Sequence, residues 1–364
     1  MENRMHSITE IRTQMSGSNN LSCVPTRNEF GQIHLDEQEF LEKVRTYVLA
    51  PEELYTLGFP VEFCGRVRIL HSPFPFASYD QNKNKKQERT NNACKSKFEQ
   101  NCARCGCSFF FPCTQYLPQD KCSYHFGKLK YQSGEGNMDS VFTCCGKPFN
   151  AKGCSVGQFH VWSGLENGVN DNLRGFVKTQ RTINNWIEPG IYSLDCEMCY
   201  TINGMELCRV TVVGIDGGLL YSTFVKPEYQ VVDFNTRFSG VTERDVTLNG
   251  ITLPEFQRDL LSFINEGTIL VGHSIHNDLR ALKILHRNIV DISLIFPHHL
   301  DYPYRYSLKQ LTLNCLHKHI QSSDYGHDPY EDALSSMELL MWSIVQDLLK
   351  KRTTITSGTR CDYQ

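Results

Sequence analysis

Apolar positions along the chain change period several times, and each change marks an element. Phe40, Val44, Tyr47 and Val48 recur at helical spacing, and Pro51 opens a second short helix, PEELYTL, which Gly58 and Pro60 close. Before them, up to Gly31, Ser, Asn and Thr without periodicity read as a tail. From Gly190 onward the pattern alternates. GIYSLDCE (190–197), ELCRVTVVGI (206–215) and LLYSTFV (219–225) read as strands, with Asp216-Gly217-Gly218 as the turn between the last two. Residues 254–265 read as an amphipathic helix, TILVG (268–272) as a short buried strand and 277–285 as a helix. Residues 288–295 then read as strand-like, 307–316 as a helix and 329–349 as a long helix. Three sequential strands followed by alternating helices and strands predict an α/β domain with a mixed sheet flanked by helices.

Between these two regions the pattern is irregular and the composition changes. Residues 72–93 carry the turn and charge signals of a basic linker; 94–165 form a cysteine-rich module, and 166–189 a polar connector leading to a domain at 190–350, with a tail at 351–364. Of sixteen cysteines, nine lie between Cys94 and Cys154. The opening MENRMHSITE lacks a signal peptide's apolar run, so reduced thiols and metal ligation are expected over disulfides. No stretch approaches the roughly 18 apolar residues of a membrane span, so no membrane partner is expected. The net charge of −3 conceals an asymmetry: from Lys83 to Lys152 twelve Lys/Arg face five Asp/Glu, a net of +7 that leaves −10 for the rest. A basic module beside an acidic domain points to a tethering surface next to a carboxylate-rich site.

The acidic domain carries three carboxylate motifs. Asp195 and Glu197 sit two apart on a strand and share a face, an expensive pairing unless a cation lies between them. Asp278 opens the helix after GHSIHN, where helix capping alone would account for it. In YGHDPYEDALSSMEL, Asp328 suits the N-cap and Glu331 a capping box, which leaves Asp332 and the loop residue His327 unexplained.

In this order and context, Asp195, Glu197, Asp278, His327 and Asp332 resemble the DEDDh group of 3′-to-5′ exonucleases, whose fold is RNase H-like. LDCEMCYTINGMELCRVTVV, GHSIHNDLRAL and HDPYEDALSSMEL resemble the RNA exonuclease 1 homologue family, and FLEKVRTYVLAPEELYTLGFP resembles a helical segment preceding its catalytic region. The resemblance implies a phosphodiester hydrolase that shortens single-stranded RNA from its 3′ end and releases nucleoside 5′-monophosphates. The four carboxylates would bind two Mg²⁺ or Mn²⁺ ions and His327 would be the general base. Met198 matches the position that contacts the terminal nucleotide, with sheet packing as its other reading. A non-catalytic RNA- or protein-binding scaffold and a DNA-directed exonuclease are the alternatives.

The module supplies ligand pairs at metal spacing: Cys102-x2-Cys105, Cys122-x2-His125, Cys144-Cys145 and Cys154-x5-His160. Six sulfurs and two imidazoles suffice for two structural Zn²⁺ sites, with Cys107 a competing ligand and Cys94 and Cys113 surplus. The string resembles the cysteine- and histidine-rich CHORD module. Its charge and its aromatics, Phe109, Phe110, Phe111, Tyr116, Tyr124 and Phe126, add RNA binding as an expectation, and a protein partner as a second. Reduced thiols and an RNA-processing resemblance favour a nuclear address, with a cytoplasmic one as the alternative. Cys196 and Cys199, though spaced C-x-x-C, are read as packing residues, and His273 and His276 as core or loop residues.

Overall fold

A computed structural model describes residues 37–71, 99–110, 121–134, 137–171, 173–181, 190–323 and 325–358. The tail up to Gly31, the linker at 72–93, and Cys94, Phe111, Cys113 and Tyr116 lie outside the described residues.

The centre of the molecule is a seven-stranded mixed sheet. Its middle strand, β1 (Ile191–Thr201), pairs antiparallel with β2 (Gly204–Gly214), and β2 pairs antiparallel with β3 (Leu219–Lys226). A short β4 (Val231–Asp233) joins the far end of β1, placing Asp233 opposite Tyr200. Parallel strands complete both edges: β5 (Gly250–Thr252), which follows helix α3 (Glu243–Asn249), lies beside β3, then β6 (Ile269–Gly272) beside β1 and β7 (Ile289–Asp291) beside β6. The expected mixed sheet flanked by helices is therefore present. The strand read as ending at Glu197 continues to Thr201, because Cys199 and Thr201 are themselves buried.

Both faces of β1 are covered, which explains why its apolar residues run nearly unbroken. Tyr192, Leu194 and Cys196 meet Phe256 and Leu260 of helix α4 (Leu253–Leu260) and Leu279 and Leu282 of α5 (His276–Leu282). On the opposite face Ile191, Val271 and Val290 meet Leu311 of α6 (Leu308–Leu316) and Met337 and Leu340 of α7 (Pro329–Gly358). Thr252 starts α4 with a capping box, its hydroxyl accepting from Glu255 N while Glu255 returns to Thr252 N. The helix read as 254–265 stops at Leu260, since Phe263 and Ile264 turn into the core. The helix read as 277–285 likewise stops early, because Lys283 turns left-handed at φ 52° and Ile284–Leu285 pairs with Val177–Lys178. In the strand-like 288–295, Asp291 ends β7 by accepting from Ser293 N at 3.0 Å and caps a helical turn, Ile292–Ile295.

The N-terminal segment belongs to the same core. Phe40 and Val44 of α1 (Glu37–Arg45) pack on the α7 face, where Lys43 meets Asp347 at 2.8 Å. Leu54 of α2 (Pro51–Thr56) and Phe59 pack on the α4/α5 face. Beyond the helices read from periodicity, Val61–Phe63 and Arg66–His71 form a hairpin, and Gly168–Asn170 of the connector adds a third strand to it. The connector is thus tied to the fold by strand pairing. Between lies the cysteine module, built from two-stranded ladders: Glu99–Asn101 with Ser108–Phe110, Cys122–Tyr124 with Ser155–Gly157, and Leu129–Gly134 with Asn137–Phe142. Among the described residues no helix is long and apolar enough to cross a membrane.

Candidate nuclease site and metal clusters

Three elements bring the carboxylates together. Asp195 and Glu197 stand opposite Thr211 and Arg209 across the β1–β2 ladder, immediately before a bulge that follows Glu197. Asp278 is the third residue of α5, and its Oδ1 accepts from Cys196 N at 2.9 Å, which fixes α5 against β1. Asp332 lies in the first turn of α7, which packs across β1 and β2. Exposures of 8% for Glu197, 5% for Asp278 and 3% for Asp332 leave these groups almost no water.

Such burial of like charges has a large electrostatic consequence. Burial, followed by the charges of Asp278, Asp332 and Glu197, holds the Asp195 carboxyl well above the usual range. Burial and then Asp332 push Glu197 to about 9. Burial pushes Asp278 to about 8, against the hydrogen bond from Cys196. Asp332 is raised to about 6, chiefly by burial, and its Oδ1 is buried without a hydrogen-bond partner. An orphaned acceptor with two more buried carboxylates, Glu197 and Asp278, and the partly buried Asp195 is a donor set that a cation would satisfy. Among the described residues, only the Cys/His groups gather three or more ligand atoms within 4.8 Å.

His327 enters from the loop before α7, with Nδ1 3.6 Å from Asp332 Oδ2. Burial, and then the charge of Lys309, lower its pKa, so the ring is neutral at pH 7. Its backbone N–H donates to Phe238 O at 2.7 Å. The loop can pass there because Gly326 adopts φ +96° against Gly240; a Cβ on Gly326 would lie 2.2 Å from Gly240 N. Asp328 caps α7 by accepting from Tyr330 N at 3.2 Å. Glu331 does not complete a capping box: its Oε2 accepts from Gln321 N at 2.8 Å. Gln321 in turn donates to Asp332 Oδ2 at 2.9 Å, a contact with no sequence signal. Arg209, 3.8 Å from Asp328, lowers the pKa of Glu197 and was legible only as an alternating position on its strand.

The remaining residues near the site make these contacts. Met198 is partly buried against the α4/α5 core, and Cys199 is fully buried beside Cys208 and Val241. His273 Nε2 lies 2.9 Å from Tyr306 O, and His276 stands edge-on to Phe59 at 5.6 Å.

In the module the eight ligand-spaced residues gather into two groups of four: Cys102, Cys105, Cys122 and His160, and His125, Cys144, Cys145 and Cys154. The groups interleave, so two pairs that look local in sequence, Cys122/His125 and Cys154/His160, are each divided. Cys102 and Cys122 sulfurs lie 3.7 Å apart, and Cys105 Sγ is 3.3 Å from His160 Nδ1. In the second group His125 Nδ1 is 3.6 and 3.4 Å from the sulfurs of Cys144 and Cys145, and the Cys154 and Cys144 sulfurs are 3.5 Å apart. Cys107 is exposed and belongs to neither group.

No protein-family model matches the chain. It is 44% identical over 247 residues to the human protein named putative exonuclease GOR, covering 67% of this chain and 36% of that one. It is 37% identical over 312 residues to human RNA exonuclease 1 homolog, covering 85% of this chain and 24% of that one. To RNA exonuclease 3 of Schizosaccharomyces pombe it is 35% identical over 243 residues, covering 66% and 43%. The chain therefore spans well under half the length of these relatives. Among solved structures, the Neurospora crassa Pan2 catalytic unit (protease and nuclease domain) aligns with 53% of this chain and 34% of its own, at 22% identity and a TM-score of 0.42.

Proposed function

The chain belongs to the RNA exonuclease 1 homologue family, and from that premise we propose that it is a 3′-to-5′ exoribonuclease acting on single-stranded RNA and releasing nucleoside 5′-monophosphates. The observation that carries the reading is the buried carboxylate cluster with its orphaned Asp332 Oδ1. Asp195, Glu197, Asp278 and Asp332 would hold two divalent cations, and an all-oxygen donor set favours Mg²⁺ or Mn²⁺. When bound, such ions lower the pKa of a water and neutralise charge on the leaving 3′-oxygen. His327, neutral and held on its loop by Phe238, takes the proton of the attacking water on the ring nitrogen not turned toward Asp332. Gln321 and the Cys196 N–H each hold one oxygen, Asp332 Oδ2 and Asp278 Oδ1, which restrains both carboxylates. Met198, adjoining Glu197 at the bulge, is the proposed contact for the terminal nucleotide.

The two Cys/His groups are proposed as structural zinc sites. Tetrahedral zinc with Zn–S about 2.3 Å and Zn–N about 2.0 Å requires sulfur–sulfur edges of about 3.8 Å and sulfur–nitrogen edges of about 3.5 Å. The observed sulfur–sulfur separations of 3.7 and 3.5 Å and sulfur–nitrogen separations of 3.3 to 3.6 Å match that polyhedron. The names of the relatives support the proposed substrate class, and unpaired thiols among the described residues together with that kinship support a proposed nuclear address.

The test is incubation of 5′-labelled single-stranded RNA, and a matched DNA, with the chain in Mg²⁺, beside Asp195→Ala. A ladder shortening from the 3′ end of RNA and absent in the variant is expected. Shortening of DNA alone would redirect the substrate, and no metal-dependent shortening of either would end the proposal.

A further inference from the structure

Both halves of the Cys/His module press on one short turn of the nuclease domain. The turn leaves β4 at Asp233 and continues through the helical residues Thr236–Ser239. On one side stands Arg104, in the knuckle between Cys102 and Cys105, with its side chain 9% exposed. Its Nη1 lies 2.6 Å from Asp233 Oδ2, and its Nη2 donates to Asn235 Oδ1 at 3.1 Å. The rings of Tyr124 and Tyr200 flank the guanidinium at 5.0 and 5.1 Å. On the other side is Phe126, the neighbour of His125. The Arg237 guanidinium lies 4.1 Å from the Phe126 ring centre, and Phe238 meets that ring edge-on at 6.4 Å.

Phe238 is also what holds His327. Its carbonyl accepts from His327 N at 2.7 Å, and its ring meets the imidazole edge-on at 6.4 Å. A helical turn of four residues has little stability of its own. This one begins at Asn235 with φ +53°, a left-handed conformation for a residue other than glycine. Asp233 accepts from Asn235 N at 2.7 Å, so Arg104 grips both groups that set that conformation.

We infer that Arg104 and Phe126 are positioning residues for His327: the module holds the 233–240 turn where Phe238 presents the imidazole to Asp332. The inference rests on the role given to His327 above. It makes the module part of the catalytic machinery through these contacts, whatever RNA it also binds. A displacement of about 1 Å in a reacting group can cost about 100-fold in rate.

The experiment is a double-mutant cycle with an exchange measurement beside it, on the full chain with its metal content checked. Arg104→Ala and Phe126→Ala are made alone and in His327→Ala; Asp233→Asn removes the Arg104 ion pair from the nuclease side and leaves the module untouched. Each single variant is expected to lower kcat on a short single-stranded RNA by about 10- to 100-fold with KM within about twofold. In His327→Ala the same changes are expected to cost less than about threefold, since no imidazole remains to be misplaced. Amide exchange at His327 and Gly240 should quicken in Arg104→Ala and Asp233→Asn, a readout independent of cleavage. An undiminished loss in His327→Ala, or unchanged exchange at the His327 amide, would overturn the inference. If the wild-type chain cleaves nothing, the exchange result still decides the contact, and the failure belongs to the proposed activity.

Discussion

Glu197→Gln should make the magnesium-free protein markedly less sensitive to alkaline pH. Glu197 keeps its proton in the fold up to about 9, through burial first and the Asp332 charge next. An unfolded glutamate loses its proton near 4.3. The folded state therefore binds the extra proton, and stability falls as pH rises from there through about 9. Each such proton costs about 1.4 kcal/mol per pH unit, so between about pH 6.5 and about pH 8 Glu197 alone removes about 2 kcal/mol. Asp278, held to about 8, adds to the slope until it ionises. The buried histidines oppose only part of this slope: His276 and His286, pushed down to about 4 by burial, are neutral in the fold throughout the window, while an unfolded histidine loses its proton near 6.5, so each returns about 0.4 kcal/mol as pH rises. At about 2–4 °C per kcal/mol, the Glu197 share is a Tm drop of about 4–8 °C. The assay is thermal unfolding at both pH values in magnesium-free buffer without chelator, so that the Cys/His groups keep their metals. Glu197→Gln should remove that share of the drop, and saturating Mg²⁺ should flatten the wild-type profile by binding the ionised carboxylates. A wild-type Tm that is level or rises across the window, or a variant that keeps the full slope, would refute the electrostatic reading of the cluster.

Other perturbations test the frame around the site. Phe59, 0% exposed and packed among Leu54, Leu279 and Ile275, should cost about 3–5 kcal/mol when changed to Ala, whereas Phe63, 56% exposed, should cost under about 1 kcal/mol; urea denaturation of both separates an integral N-terminal segment from an appended one. Cys122→Ser and Cys144→Ser should each lower bound zinc, measured by elemental analysis, by about one ion per chain, and by about two when combined; a combined loss of only one would mean the eight ligands serve a single ion. Gly326→Ala, which places a Cβ 2.2 Å from Gly240 N, should reduce RNA cleavage by at least about tenfold while Mg²⁺-induced stabilisation persists; unchanged cleavage would show that the His327 loop tolerates displacement.

Much of the α/β domain was legible because its signals are local. The strands around Asp195 and the helix after Pro329 show their burial in the period of their apolar residues, and Thr252 with Glu255 writes a cap directly into the chain. Element ends were less legible. Leu260 ends α4 because Phe263 and Ile264 find a core supplied by distant strands, and Lys283 ends α5 because Ile284–Leu285 pairs with a connector about a hundred residues earlier. The hairpin at Val61–His71 escaped for a related reason: it is completed by Gly168–Asn170, which carries no strand pattern of its own.

By itself the sequence determined the chemistry available: which carboxylates, imidazoles and thiols exist, in what order, and which share the face of one strand or the first turn of one helix. Tertiary structure decided their company. Cys122 and His125 are three residues apart yet enter different groups, since the ladder with Ser155–Gly157 carries Cys122 into the buried cluster with Cys102 while His125 joins Cys144, Cys145 and Cys154. Glu331 and Asp332 are adjacent and both accept from Gln321, yet only Asp332 keeps an unpaired buried oxygen, Oδ1. Arg104 reads as one more basic residue until Asp233 and Asn235 appear beside it. Periodicity records which side of its own element a residue occupies; only packing the elements together determines which distant surface that side will meet, and so which charges must share a space without water.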